Sequence, residues 1–192
     1  MSMIAHYSLL EYDHMIRCGA LDQRDRRLEL IRGEIREMAA LGSPHEMAVD
    51  RLNFWSIRNL PENRAWVRIQ ESIGSEELAS APEPDIVWAV YRVYDNGRPT
   101  PANVLLLIEV DDRSLEYDRG EKAELYAEAG IADYWIANVR DQCLEVFRQP
   151  KGRGFGSMKI HRDDEEVRPL AVPEMVLRPS MLWGPKPIGP PR

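Results

Sequence analysis

The chain has 192 residues, 44% of them hydrophobic and 30% charged, proportions of a globular protein and not of a disordered one. Its 25 basic and 32 acidic side chains leave a net charge of −7, which excludes a uniformly basic surface; any polyanion must be met by a local basic patch or by bound cations. This length fits one domain, taken as 1–192 with its core at about 8–182, and no apolar run approaches the roughly 20 residues of a membrane span.

Met1 to Leu10 lacks the charged start and apolar stretch of a signal peptide. The two cysteines, Cys18 and Cys143, have no CxxC spacing, so a cytoplasmic protein is expected, without membrane association. Ser8-Leu9-Leu10-Glu11 has the form of a capping box. The helix it starts should run to about Cys18 and close at Gly19. An arginine-rich connection, Asp22 to Arg27, precedes a hairpin of Leu28–Ile31 and Glu34–Met38 about Arg32-Gly33. Arg24, Arg26, Arg27, Arg32 and Arg36 form the densest basic stretch, a candidate phosphate-contacting surface. Ser43-Pro44-His45-Glu46 predicts a second helix, with Ser43 as cap, running to about Asn59. Met47, Leu52, Phe54, Trp55 and Ile57 are its expected apolar contacts.

Strands follow at Trp66–Ile73, Asp85–Tyr91 and Asn103–Val110, with a loop at Asp95–Pro99. The last two are nearly continuous apolar runs, as in central strands covered on both faces. A third helix is expected over Leu115–Ala129, ending at Gly130. Tyr134–Val139 and Cys143–Arg148 read as a second hairpin, Lys151–Gly156 as a Gly-rich loop, and the tail from Trp183 carries four prolines. Paired strands mixed with helices predict an α/β fold with a mixed central sheet.

Glu109 interrupts Val104-Leu105-Leu106-Leu107-Ile108-Glu109-Val110, a run that otherwise belongs in a core. An ionised carboxylate there needs a partner or a metal. Asp85 opens the apolar run Ile86–Val90; alone it is ordinary turn chemistry. The pair says more, because one acid on each of two neighbouring buried strands can share a divalent cation, and Mg²⁺ accepts one or two carboxylates completed by water and phosphate. On the third helix Leu115, Lys122, Leu125, Tyr126 and Ala129 share a face, so Lys122 should turn toward the protein. His45 lies in the first turn of its helix, where it can contact a phosphate or shuttle a proton. The sequence contains no GxxxxGK[ST], GxSxG or HExxH, and its four histidines and two distant cysteines do not suggest zinc.

Six stretches in order are similar to one family: Leu28–Ile35, Ser43-Pro44-His45, Pro84–Val87, Leu107–Val110, Asp118–Tyr126 and Ala129–Ile136. Over about Ser8 to Leu182 the chain resembles the Uma2 family, whose fold is that of the PD-(D/E)xK nucleases. The resemblance implies a restriction-endonuclease-like fold with a mixed central β-sheet flanked by helices. It also implies a Mg²⁺- or Mn²⁺-dependent endonuclease acting on nucleic acid, DNA ahead of RNA, and it is compatible with a homodimer. Asp85 matches the PD aspartate and Glu109 the following acid, the two implied metal ligands. The position two residues after Glu109 is Asp111 and not lysine, so the resemblance assigns that role to Lys122 on the next helix. Glu34 and His45 match acidic and histidine positions near the family's site. After Glu109 the family usually reads closer to Ser-Pro-Ser, whereas this chain has Asp111-Asp112-Arg113-Ser114. The readings carried beside the nuclease are a non-catalytic nucleic-acid- or partner-binding protein that keeps the fold, and a small-molecule phosphohydrolase.

Overall fold

A computed structural model describes residues 4–21, 26–40, 42–94 and 97–183. Most of the arginine-rich connection, including Arg24, lies outside these residues, as do Asp95 and Asn96 of the predicted loop and the tail from residue 184. Six strands form one mixed sheet in the order β3-β4-β5-β6-β7-β8: Ala65–Ile69, Ile86–Val90, Val104–Asp111, Asp133–Asn138, Cys143–Lys151 and Gly154–Arg162. All neighbours run antiparallel except β5 and β6, which are parallel and joined by the third helical segment. A separate hairpin pairs β1 (Leu28–Ile31) with β2 (Glu34–Glu37), its turn made by Arg32 and Gly33, both at positive φ. The α/β fold with a mixed central sheet flanked by helices is the one expected.

Alternation along the central strands divides the core in two. Ile86, Trp88, Leu106, Ile108, Trp135 and Leu144 pack against the helix α2 (Ser43–Asn59) and the returning segment Val167–Leu182. Val87, Ala89, Leu107, Tyr134 and Ile136 face Ala123 and Tyr126 on the opposite side. Both faces of β4 and β5 are therefore dry, which is why they read as unbroken apolar runs.

The helix α1 (Leu9–Arg17) begins at the predicted capping box, with Ser8 N–H donating to Glu11 at 2.8 Å and Glu11 N–H to Ser8 Oγ at 3.2 Å. α2 departs from expectation. Gly42 is the N-cap, Ser43 and Pro44 already lie inside the helix, and no side chain caps this end. Its buried stripe is Ala48, Val49, Leu52 and Trp55, an i, i+1, i+4, i+7 set. Met47, Phe54 and Ile57 fall on the opposite face and are exposed, contrary to the contacts expected of them. β3 stops at Ile69 and not at Ile73, because Gln70 takes a positive φ of 52°.

The helix expected over Leu115–Ala129 is interrupted. A short α3 (Leu115–Tyr117) runs into a π-turn (Asp118–Lys122) and then α4 (Ala123–Glu128). Ala123 N–H reaches the Asp118 carbonyl, five residues back. A wider turn rotates the residues after it relative to a regular helix, and both charged ends of this one, Asp118 and Lys122, are buried. The expected Gly-rich loop is mostly strand: Lys151 pairs with Gly154 across a two-residue turn, extending β7 and creating β8. Among the described residues no helix is long and apolar enough to cross a membrane.

Candidate active site

The register of β4 on β5, with Ile86 opposite Ile108, sets Asp85 beside Glu109 on the sheet face covered by the π-turn and α4. Val110 N–H donates to Asp85 Oδ2 at 2.8 Å, and Asp85 N–H reaches Glu109 Oε2 at 3.4 Å. Glu109 thus accepts from the backbone of Asp85, and Asp85 from the backbone of the residue after Glu109. From α4's side Lys122 Nζ donates to Glu109 Oε1 at 2.9 Å and the Tyr126 hydroxyl to the same oxygen at 2.7 Å. From α2, His45 Nε2 lies 3.1 Å from Asp85 Oδ2, and Gln70 Nε2 donates to Oδ1 at 3.2 Å. Asp85, Glu109, Lys122 and His45 are each no more than 6% exposed. Four of the five residues singled out in the sequence therefore meet.

Glu34 does not join them. It sits on the rim, paired with Arg36 at 2.8 Å, and Glu29, which precedes it on the partner strand, takes the inward position. Glu29 is buried, 3.8 Å from Lys122 Nζ, and accepts from the Tyr117 hydroxyl at 3.4 Å. The signal was present: Glu29 interrupts Leu28-Glu29-Leu30-Ile31 as Glu109 interrupts its own run. Asp118 and Tyr126 stand beside Lys122 in the sequence reading, the one flanking it and the other on its helix face, but are not among its site residues.

Glu29, His45, Asp85, Glu109, Asp118 and Lys122 line a cavity of about 340 Å³ between the β1–β2 hairpin, the start of α2 and the π-turn. Burial pushes the pKa of Glu109 up to about 8, Lys122 opposes the rise, and Asp118 and Asp85 add to it. Burial likewise raises Asp118 to about 6, against Lys122 and Ser114. Burial also works against the Lys122 ammonium, but Glu109, Glu29 and Asp118 together hold its pKa above the ordinary lysine value. Asp85 goes the other way. Its burial is outweighed by the hydrogen bond and charge of His45, with the Val110 N–H and Gln70 adding, and its carboxyl is held below the usual range. The cavity is a buried, net acidic place with one lysine at its centre.

Among the described residues no group of three or more His, Cys, Asp and Glu side chains converges on a common metal position. A two-carboxylate set remains, and its bonding is suited to a hard divalent cation. Each acid has one oxygen held by two short bonds, Glu109 Oε1 and Asp85 Oδ2, and one held by a single longer bond, Glu109 Oε2 at 3.4 Å and Asp85 Oδ1 at 3.2 Å. The first oxygen of each acid fixes its orientation, and the second is the one that could take a divalent cation, for which one or two carboxylates suffice.

The described arginines of the basic stretch are already engaged. Arg26 pairs with Glu37, Arg27 with Glu83, Arg32 with Glu128, and Arg36 with Glu34 and Glu121. These pairs lace the hairpin to its neighbours and leave it little net positive charge. Asp111, where strict PD-(D/E)xK enzymes carry lysine, is fully buried and accepts from Ser114 N–H at 2.5 Å.

The sequence pattern of the family Uma2, described as "Putative restriction endonuclease", matches residues 9–180. Among solved structures, the chain is similar to one described as a "putative nuclease belonging to DUF820" from Anabaena variabilis ATCC 29413. The TM-score is 0.67 at 16% identity, over 91% of this chain and 96% of the other. None of the curated proteins matches the chain.

Proposed function

The chain belongs to the Uma2 family, and from that premise we propose that it is a metal-dependent endonuclease that hydrolyses phosphodiester bonds of DNA. The observation that carries this reading is the buried contact of Lys122 Nζ with Glu109 Oε1 at 2.9 Å. It places an ammonium beside a carboxylate pair at the bottom of a cavity, a charge arrangement completed by a divalent cation and an anionic phosphate. Asp85 and Glu109 would hold Mg²⁺ or Mn²⁺ through their less bonded oxygens. When bound, such a cation supplies Lewis-acid polarisation of the phosphate and a water of lowered pKa. The chain's own groups do the rest. Tyr126 and Lys122 fix the rotamer of Glu109, and His45 with the Val110 N–H fixes that of Asp85. Lys122 faces the developing negative charge on the phosphate oxygens, its own charge secured by the acids around it.

Supercoiled plasmid incubated with Mn²⁺ or Mg²⁺ should be nicked by the wild-type protein, and EDTA or Asp85→Asn should stop it. Absence of nicking under any of these cations, on double- or single-stranded DNA, overturns the reading. A second reading, a non-catalytic nucleic-acid- or partner-binding protein on the same fold, is favoured by one observation. Both carboxylates already have protein hydrogen-bond partners, so neither acid is left unpartnered without a cation. Binding of DNA without cleavage at any metal concentration would select it.

A further inference from the structure

We infer that Glu145 on β7 is a positioning residue: through Arg119 it holds the π-turn in the phase that delivers Lys122 to Glu109. The consequence for cleavage rests on the nuclease reading above. Glu109, Ile136 and Glu145 lie opposite one another on β5, β6 and β7, so they form one row across the sheet and share a face. The row carries a buried acid at each end, Glu109 and Glu145, about 10 Å apart for two strand spacings. Each acid receives one cation from the π-turn, Asp118–Lys122. Lys122 Nζ donates to Glu109 Oε1 at 2.9 Å. Arg119 donates to Glu145 through Nε at 2.7 Å and Nη2 at 2.6 Å.

A single ion pair fixes one point on a helix and leaves it free to roll. A second, three residues away and two strands over, fixes the rotation as well. Rotation decides where Lys122 points, because a π-turn takes more residues per turn than an α-turn and redirects everything after it. Nothing in Asp118-Arg119-Gly120-Glu121-Lys122 forbids an α-turn, in which the Asp118 carbonyl would receive the Lys122 N–H. In the structure that carbonyl receives the Ala123 N–H, and the Tyr134 hydroxyl at 3.0 Å. The wide turn is thus held from the sheet, by Tyr134 on β6 at its first residue and by Glu145 on β7 at its second.

The chemistry of the pair fits that role. Glu145 Oε1 also accepts from Asn138 Nδ2 at 3.0 Å, so a group of the sheet itself sets the carboxylate plane. A guanidinium that meets this plane through two N–H groups fixes direction as well as distance, which a lysine ammonium does not. Burying such a pair adds little net stability, since apolar side chains of similar volume often serve as well or better. What it adds is orientation. Neither Arg119 nor Glu145 lines the cavity that holds Glu109 and Lys122, so the pair acts through Lys122 and not on a substrate.

The test uses the full-length protein without metal or DNA and follows the Lys122 ammonium by NMR. In the wild type this group should give a resonance of its own, its hydrogens shielded from exchange by Glu109. Arg119→Met with Glu145→Leu replaces the pair by apolar contacts. The double variant should melt close to the wild type, yet its Lys122 ammonium should exchange about tenfold faster or more, the worth of one charge-assisted contact. The Ala123 amide should shift with it as the turn relaxes. Should the double variant fail to fold, Arg119→Lys, which keeps the charge and loses the fork, takes the same reading. A folded variant whose Lys122 and Ala123 signals stay as in the wild type overturns the inference and leaves Glu145 as a contact of the fold. A wild type with no shielded Lys122 ammonium overturns it as well. Where plasmid is nicked, kcat should fall with KM unchanged. Faster exchange in the variant of a protein whose wild type nicks no DNA would sustain the positioning and overturn the nuclease reading, so the two fail separately.

Discussion

Replacing Lys122 with methionine keeps the stem and removes the charge. Lys122 is 5% exposed and is the cation shared by Glu109 at 2.9 Å and Glu29 at 3.8 Å. Removing one member of a buried ion pair costs roughly 3–5 kcal/mol because the remaining charge is stranded. Here the loss has a ceiling, since burial already pushes Glu109 up to about 8 and without the ammonium it takes up a proton near neutral pH. The sign follows from that raised value. The contribution of Glu109 to stability is fully present below the unfolded carboxyl pKa and is lost as pH rises through the folded one. The variant should therefore melt close to wild type at pH 5 and well below it at pH 9. A penalty of about 3 kcal/mol corresponds to roughly 6–12 °C in a chain of this size. Adding Glu109→Gln should restore most of that stability and no activity. Nicking of plasmid by the single variant at pH 7 should fall by about 10²-fold or more, as for other charge-stabilising groups. Thermal melts across pH, paired with a cleavage time course, check both halves. A folded Lys122→Met protein that cleaves at the wild-type rate removes the ammonium from the chemistry, and a pH-independent melting difference removes the coupling to Glu109.

Divalent cations at 100 times their dissociation constant should raise the stability by about 2.7 kcal/mol, and Asp85→Asn should abolish the gain, read as the shift in melting temperature with and without EDTA. Tyr126→Phe removes the 2.7 Å bond to Glu109 Oε1 and should cost about 1.5–3 kcal/mol, as hydrogen bonds to charged groups do; unfolding in urea measures it. Tyr12, whose hydroxyl donates to the Leu28 carbonyl at 2.8 Å, is pushed up to about 12 chiefly by burial. Its contribution is whole below the ordinary tyrosine pKa and disappears as pH rises through the folded value, so Tyr12→Phe should lessen the loss of stability between pH 10 and 12, seen in denaturant midpoints.

The sequence carried the sheet's centre because those strands are dry on both faces, so polar residues in them are conspicuous. Glu109 was legible for that reason, and Glu29 would have been by the same rule applied to a shorter run. The edges were harder. Gly154 and Gly156 belong to β8 only because β7 pairs with that strand on either side of Gly156, from Cys143 to Lys151, which no local signal records. Lys122 was placed on the correct side by helical periodicity, yet the π-turn beneath it was not, since nothing in Asp-Arg-Gly-Glu-Lys forbids a regular helix. The cap of α2 was misplaced by one residue because Ser43 and Gly42 are both acceptable caps and backbone geometry, not side-chain chemistry, decided between them. Glu34 was preferred to Glu29 through likeness alone; the hairpin register pairs Glu29 with Arg36 and Ile31 with Glu34, which moves Glu34 to the rim.

The substitution of aspartate for lysine two residues after Glu109 has a structural logic. Residues 109 and 111 lie on one face of β5, so a lysine at 111 would point toward the site from the strand. In this chain Asp111 instead accepts from the amide and hydroxyl of Ser114 at 2.5 and 3.1 Å and turns the chain into α3. Ser114 Oγ in turn lies 3.0 Å from Asp118 Oδ2, at the start of the π-turn that ends with Lys122. Asp111 thus anchors, through Ser114, the turn that carries Lys122. Returning lysine to position 111 would put a second ammonium where the described structure has a fully buried aspartate and would remove the acceptor that holds Ser114. On the proposed nuclease reading the two arrangements would be alternatives for delivering one charge, and the contacts of Asp111, Ser114 and Asp118 favour the second.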